Sequence, residues 1–275
     1  MARPKRRRRK AESNFGLIFG TVALGLASVA ILGGYGYLKY YRGGSHVAID
    51  KASLCPVDGP KEITAILLDV TDPISPTTAT DLRNNFQDTV NTVTVGGLIQ
   101  VYALTDVTGE LKLTFSGCNP GSGEDADIWT SNPRLMQKRW EEGFEKPLKD
   151  LADSMDQGVE GKQSPIMAGI QKINLDVFGN PAHKNILKRL VIASDMIEYT
   201  KSFSMYATGP DYEKFLKSPA RDEYRTSLAG VTVRMLVFQR PGLKFTTREI
   251  GEFWGEWVTA NKGSWGGYVR LEGIK

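Results

Sequence analysis

The sequence predicts one α/β domain, with a mainly parallel central sheet and helices on both faces, preceded by a single transmembrane helix. Two observations support this fold class. Residues 15–38 contain no charged side chain, and a hydrocarbon core about 30 Å thick needs roughly 20 apolar residues in helical form. Beyond this stretch, apolar runs typical of buried parallel strands alternate with amphipathic helical segments. Such alternation produces βαβ units.

The N-terminal end predicts the topology. Arg and Lys crowd into residues 3–10, just before the apolar stretch, so the positive-inside rule places this end in the cytoplasm. Tyrosines cluster at the far end of the stretch, where aromatic rings favour the membrane–water boundary. We therefore predict a basic cytoplasmic tail over 1–14, a transmembrane helix over 15–38, a stalk over 39–60 and the domain over 61–275.

Two other interpretations of the N-terminal end fit less well. A cleaved signal peptide has an apolar core of about 7–15 residues, which is shorter than this stretch. A nuclear signal or a nucleic-acid patch would also explain the Arg and Lys run. A nucleic-acid-binding domain, however, needs basic residues spread over a folded face. Here the formal net charge of +4 arises from the tail, so we expect no nucleic-acid partner.

Small residues recur within the apolar stretch. Gly16 and Gly20, then Ala23 and Ala27, follow a small-x-x-x-small spacing, which lets helices approach closely in lipid. The spacing predicts a partner in the membrane, although small residues are also common in single spans. No Asn-x-Ser/Thr glycosylation acceptor occurs in the sequence, which favours a bacterial periplasm over the endoplasmic reticulum. We expect a bacterial inner-membrane protein with a periplasmic domain.

The domain divides into alternating strands and helices. Ser75 and Pro76 supply a cap and a first-turn proline for one helix, and Thr246 caps the last. Pro147 predicts a break or kink in a long helix. The predicted strands are 63–70, 98–104, 111–115, 188–194 and 231–238, and the predicted helices are 77–93, 132–155, 164–177, 211–228 and 249–259.

The two cysteines, Cys55 and Cys118, both follow the apolar stretch. An even count in an oxidising compartment predicts one disulfide, which would join the stalk to the domain. The alternative is two unpaired thiols.

Acidic residues follow the predicted strands. Ligands of parallel α/β sheets bind beyond the carboxyl ends of the strands. Asp69, Thr71 and Asp72 follow the first strand, Asp106 follows the second, and Asp195 follows the fourth. We predict that Asp72 and Asp106 contribute to a partner-binding surface. Capping of the following turn is the alternative role for Asp72.

These strand-end residues resemble the metal site of the von Willebrand factor A domain. In that family an Asp-x-Ser-x-Ser motif follows the first strand, a Thr precedes a later helix, and an Asp follows the fourth strand. Asp69 and Thr71 match the first two positions, Ser164 matches the Thr, and Asp195 matches the last Asp. Pro73 stands where the second Ser is expected and supplies no hydroxyl. The resemblance, over about residues 60–260, implies a degenerate site for Mg²⁺, which prefers oxygen ligands.

Other interpretations of the same residues stay open. Asp69 and Asp195 are equally explained as metal-free acids bonded to loop amides. Asp69 after an apolar strand also resembles the phosphatases of the haloacid dehalogenase class, but Thr71 replaces their second Asp, so an acid for the leaving group is missing.

The predicted function is that of a single-pass, membrane-anchored module that binds a protein of the cell envelope through its strand-end face and catalyses nothing. The alternatives are a periplasmic metal-dependent hydrolase, phosphatase-like, at the same strand ends, and a purely structural membrane anchor.

Overall fold

The computed structural model describes residues 15–37, 40, 48–69, 71, 73–126, 131–154 and 161–274. The chain divides into two units, Met1–His46 and Val47–Lys275. The first unit contains helix α1, Phe15–Tyr37, with 23 residues and no charged side chain. Among the described residues it is the one helix long and apolar enough to cross a membrane. The predicted basic tail over 1–14 lies outside the described residues.

The second unit is built on one six-stranded sheet of described residues, ordered β3-β2-β1-β4-β5-β6. Neighbouring strands pair in parallel except β3, which pairs antiparallel with β2. The strand order reverses beside β1, as in doubly wound α/β folds. The predicted fold class, an α/β domain with a mainly parallel central sheet and helices on both faces, is confirmed. The strands are β1 Glu62–Asp69, β2 Leu98–Leu104, β3 Leu111–Cys118, β4 Leu187–Ser194, β5 Val231–Gln239 and β6 Ser264–Ile274.

Helices cover both faces of this sheet. One core cluster joins the inward side chains of α5 and α9 to one face, and a second joins those of α2 and α4 to the other. Trp254 and Trp257 are fully buried in the first cluster. The helices of this unit are α2 Pro76–Asn91, α3 Pro133–Trp140, α4 Lys146–Asp153, α5 Ile166–Ile173, α6 Met205–Thr208, α7 Tyr212–Leu216, α8 Ala220–Glu223 and α9 Thr247–Ala260.

Local sequence signals explain the helix ends. The Ser75 hydroxyl accepts a hydrogen bond from the Thr78 amide at the start of α2, as predicted for an N-cap before a first-turn proline. Thr246 and Glu249 form a capping box at the start of α9, which satisfies two amides that have no partner within the helix.

Two predicted helices and one strand differ from the structure. The predicted helix 211–228 is two short helices, α7 and α8, because Pro219 between them lacks an amide hydrogen. The predicted helix 132–155 contains a π-helical turn over Glu141–Glu145, just before Pro147. Strand β6 was not predicted, because its side chains alternate between half-buried and exposed and form no apolar run.

A disulfide attaches the segment before β1 to the sheet. Cys55 and Cys118 are bonded, so the predicted disulfide is confirmed. The Cys118 amide also donates to the Ser53 carbonyl at 2.9 Å. Cys118 ends β3, so the bond holds the residues before β1 against the antiparallel edge strand.

Candidate functional site

Asp69 is the centre of a hydrogen-bonded cluster at the carboxyl end of the sheet. It ends β1, and Ser194 ends the neighbouring parallel strand β4. Asp69 Oδ2 accepts hydrogen bonds from the hydroxyls of Ser194 at 2.7 Å and Ser164 at 2.9 Å. Asp69 Oδ1 accepts from the Thr71 hydroxyl at 2.6 Å and from its amide at 3.1 Å. Four donors therefore hold one buried carboxylate.

Asp195 is the second buried carboxylate of the cluster. Its Oδ1 accepts from the Ile197 amide at 2.9 Å, and its Oδ2 accepts from Arg240 Nε at 2.9 Å. Burial and, to a lesser extent, the nearby Asp69 carboxylate raise the pKa of Asp195 to about 6, against the opposing effect of Arg240. The ionised carboxylate is therefore costly at this position, and Arg240 is the residue that reduces the cost.

Arg240 connects two strand ends. It follows β5 by one residue, and its Nη1 donates to the Pro73 carbonyl at 3.2 Å. The guanidinium therefore reaches from Asp195 to the position where the metal-binding motif would place its second Ser. Sequence reasoning missed Arg240, and it pointed to Ser194 only as the neighbour of Asp195 at the end of the fourth strand. The rule that located Asp69 and Asp195, inspection of residues at each strand end, also points to them.

The predicted ligands have the chemistry of a hard-cation site but not its charge balance. Asp69, Thr71, Ser164 and Asp195 supply only oxygen atoms, which Mg²⁺ accepts. A guanidinium within hydrogen-bond distance of Asp195 already supplies positive charge there, and it repels a second cation. The Arg240 guanidinium therefore disfavours Mg²⁺ at these residues. Among the described residues, no group of three or more His, Cys, Asp and Glu could hold a metal.

The loop before α5 brings Asp106 to the same face. The Gly161 amide donates to the Thr71 carbonyl at 2.7 Å, and the Lys162 amide donates to Asp106 Oδ2 at 3.3 Å. A Cβ atom on Gly161 would lie 3.1 Å from the Cβ atoms of both Thr71 and Asp106. Glycine therefore permits this close approach. Of the two predicted partner-binding residues, Asp106 lies beside the cluster, and Asp72 lies outside the described residues.

Glu198 is a third buried carboxylate, in the loop after β4. Its Oε2 accepts from the Met167 amide at 2.9 Å, in the first turn of α5. Burial raises the pKa of Glu198 to about 8, against the opposing effect of the α5 amides. Sequence reasoning missed Glu198 because an isolated Glu in a loop gives no sign of burial.

We expect Glu198→Gln to remove a pH-dependent loss of stability. The folded pKa lies above the ordinary value, so this group stabilises the folded chain below about pH 4.5 and loses that contribution as pH rises to about 8. Glutamine does not ionise. The free energy of unfolding of the variant, relative to that of the wild type, should therefore rise by on the order of 3 kcal/mol from pH 5 to pH 8.5. The measurement is thermal unfolding of the full-length chain in detergent at both pH values.

The control for this change is Glu110→Gln, which makes the same substitution at an exposed position. It should shift the unfolding temperature equally at both pH values. An equal shift for Glu198→Gln at pH 5 and pH 8.5 would contradict the raised pKa.

Neither Thr71 nor the described histidine supplies the acid that the phosphatase alternative needs. Thr71 stands two residues after Asp69 and donates its hydroxyl hydrogen to that carboxylate, so it is not placed to protonate a leaving group. His183 lies before β4, toward the amino end of the strands, and its Nδ1 is 2.9 Å from the Val177 carbonyl. His46 lies outside the described residues.

Comparisons with known proteins add structural neighbours only. No family model and no curated protein matches the chain. Proximal thread matrix protein 1 from the mussel byssus is 16% identical over 76% of this chain and 40% of its own, with a TM-score of 0.38. A von Willebrand factor type A structure from Catenulispora acidiphila is 13% identical over 77% of this chain and 39% of its own, with a TM-score of 0.43.

A third neighbour is an aerotolerance-related membrane protein from Bacteroides fragilis, 12% identical over 77% of this chain and 92% of its own, with a TM-score of 0.35. The chain spans about two fifths of the length of the mussel protein, at 40%. Likeness at these identities and TM-scores carries no conclusion about function.

Proposed function

We propose that this chain is a single-pass, membrane-anchored module that binds a protein partner through the strand-end face of its α/β domain and performs no catalysis. In this proposal α1 lies in a bacterial inner membrane, the N-terminus is cytoplasmic and the domain is periplasmic. The small residues Gly16, Gly20, Ala23 and Ala27 in α1 would allow a second contact within the membrane.

The observation that carries the proposal is the closed hydrogen-bonded cluster around Asp69. Each of its oxygens accepts two hydrogen bonds, so the carboxylate is held rigidly and is poorly suited to attack a substrate. The cluster joins the loops after β1, after β4 and before α5. A surface whose loops are fixed in this way loses little conformational entropy when a partner binds.

Two further observations support membrane anchoring and export. Helix α1 has the length and composition of a span. The disulfide between Cys55 and Cys118 is of a kind that persists in oxidising compartments and is rare in the cytosol.

We also propose that partner binding needs no divalent cation. The ion pair of Arg240 with Asp195 supports this, because the Arg240 guanidinium already supplies the positive charge that a cation would supply beside Asp195. Mg²⁺ at Asp69, Thr71, Ser164 and Asp195 stays the competing prediction.

The test is recovery of crosslinked partners with the tagged full-length chain from native membranes. We expect Asp106→Lys, on the strand-end face, to reduce recovery of the partner about tenfold, since a reversed charge at an interface opposes binding. The matched control is Asp88→Lys on α2. Asp88 is exposed near the far end of a helix that starts at the strand-end face, so its reversal should leave recovery unchanged.

Three outcomes would contradict these proposals. Equal recovery with Asp106→Lys and with the wild type would show that another surface binds the partner. Hydrolysis of phosphate esters by the full-length chain, lost in Asp69→Asn, would establish the enzyme alternative. Loss of the partner in EDTA, restored by Mg²⁺, would instead support the metal-dependent prediction.

A further inference from the structure

The loop between β4 and α6, residues 195–204, joins the Asp69 cluster to the surface beside it. The backbones of Tyr199 and Ser164 exchange two hydrogen bonds, at 3.0 Å and 3.1 Å, and the Ser164 hydroxyl donates to Asp69. The Tyr199 ring is exposed and packs edge-to-face on the exposed ring of Tyr206. A change in the conformation of this loop would therefore alter the strand-end face.

The start of the loop has a backbone conformation that residues with side chains rarely adopt. Met196 has a φ of 60° and is fully buried, and glycine is the residue that enters this left-handed region without a steric penalty. The Met196 amide donates to Ser194 Oγ, and its carbonyl accepts from Trp254 Nε1, both at 2.8 Å. Contacts with β4 and α9 therefore hold the loop in a conformation that it would not adopt by itself.

Glu198 connects the middle of this loop to the start of α5. Pro165 precedes α5 and gives its first turn no side-chain hydrogen bond. Glu198 Oε2 instead accepts from the Met167 amide at 2.9 Å, so it satisfies an amide that has no partner within the helix. The Glu198 carbonyl accepts from the Met205 amide at 3.0 Å, at the start of α6. One residue thus ties the loop to two helices.

The other oxygen of this carboxyl group has no partner. Glu198 is 0% exposed, and its Oε1 forms no hydrogen bond with any residue that the structure describes. A buried oxygen without a partner costs free energy, and it costs far more when it carries charge. The closed loop therefore accommodates the neutral carboxyl better than the ionised one.

The charged and titratable groups around Glu198 act in both directions. The Asp69 carboxylate, at the end of β1, disfavours a second negative charge, and the amides of the first turn of α5 favour one. Tyr224, at the end of α8, is the nearby phenol, and its own pKa is raised. On the loop, Asp195 is paired with Arg240. The remaining charged side chains of the loop and of α8 are exposed, namely Lys201, Arg221, Asp222 and Glu223. Burial has the largest effect and raises the pKa of Glu198 to about 8.

We propose that Glu198 is a pH-dependent latch of the strand-end face. When its carboxyl is protonated, the loop stays closed on α5. When the carboxyl ionises, the loop opens, water reaches Oε1, and the backbone bonds between Tyr199 and Ser164 are released. The consequence for partner binding rests on the proposed function, because this loop forms part of the face that binds the partner.

The test is hydrogen–deuterium exchange of the full-length chain in detergent, followed by mass spectrometry, for the wild type and Glu198→Gln at pH 6 and pH 9. Comparison at the same pH cancels the effect of pH on chemical exchange. For peptides from residues 195–204 and from the start of α5, the ratio of wild-type to variant exchange should rise at least about tenfold from pH 6 to pH 9, because opening returns the carboxyl toward its ordinary pKa. Peptides from β5 should stay protected in both chains.

The matched control is Glu223→Gln, which removes an exposed carboxylate that accepts from the Ser202 hydroxyl of the same loop. Its exchange should follow that of the wild type at both pH values. A ratio that does not change with pH would overturn the inference. Exchange of β5 together with the loop would also overturn it, since ionisation would then unfold the whole domain.

Recovery of crosslinked partner tests the consequence for binding. The wild type should recover about fivefold less partner at pH 9 than at pH 6, because fewer molecules have the closed loop, and Glu198→Gln should recover equal amounts. An equal loss in both chains would overturn the regulatory role. If Asp106→Lys abolishes recovery at pH 6 and exchange of the loop ignores pH, the latch is wrong and the proposed function stands. If Asp106→Lys changes nothing and the loop opens as expected, the proposed function is wrong and the latch stands.

Discussion

Replacing Arg240 by methionine should destabilise the domain by about 3–5 kcal/mol, because removal of one partner leaves the other charge buried without compensation. Asp195 is 5% exposed in this pair and Arg240 is 17% exposed. Methionine retains much of the length of the apolar part of the side chain but not its charge. The measurement is chemical unfolding of the full-length chain in detergent at pH 8, where wild-type Asp195 is ionised.

An exposed ion pair supplies the control. Arg248 binds Glu252 at 2.8 Å, with exposures of 82% and 57%, so Arg248→Met should leave the stability of the domain nearly unchanged. Asp195→Asn should recover part of the stability lost in Arg240→Met, because the unpaired charge is then absent. Additive costs of the two substitutions would show that the pair is not energetically coupled.

Arg240→Met also tests whether the Arg240 guanidinium prevents a metal ion from binding beside Asp195. Millimolar Mg²⁺ should leave the unfolding temperature of the wild type unchanged. It should raise that of Arg240→Met, because the oxygens of Asp69, Thr71, Ser164 and Asp195 then face no internal cation. Stabilisation of the wild type by Mg²⁺, reversed by EDTA, would show that the domain accepts the ion despite Arg240.

Removing the disulfide should cost about 4 kcal/mol. The bond joins cysteines 63 residues apart. In the loop-entropy treatment, closing a loop of that length lowers the conformational entropy of the unfolded chain, and this raises the free energy of the unfolded chain by roughly the amount stated. Cys55→Ala, Cys118→Ala and the double variant should lose the same stability, because each removes the same bond. The measurement is unfolding of the three variants and of the wild type with and without reductant.

The disulfide also reports the compartment of the domain. Reductant should have no effect on the variants and should reduce the wild type to their stability. In living cells both thiols of the wild type should resist alkylation until reductant is added. Free thiols in living cells would contradict export of the domain.

Much of the fold was predictable because its signals are local. The runs that became β1, β2, β4 and β5 are rich in apolar residues, as buried parallel strands require. Strand β6 gave no such signal. It pairs with β5 on one side only and presents alternate residues to solvent, so its pairing depends on a neighbour distant in the sequence.

The candidate site was predictable in part. Asp69 and Asp195 were found because residues after parallel strands gather at one edge of a sheet, and the structure brings Thr71 and Ser164 onto Asp69. Binding of Mg²⁺ by these four residues stays a prediction. The role of Arg240 was not predictable, because its contacts with Asp195 and Pro73 join residues 45 and 167 positions apart.

The sequence by itself determined the apolar N-terminal helix, the order of most strands and helices, and the acids at the strand ends. Periodicity, capping residues and charge-free length are properties of neighbouring residues, so they can be read along the chain. Only the tertiary structure decided that a guanidinium lies against Asp195, that Glu198 is buried beneath α5, and that two tyrosines face outward together. Electrostatic compensation and burial depend on what folding places around a side chain, and that environment is assembled from segments far apart in the sequence.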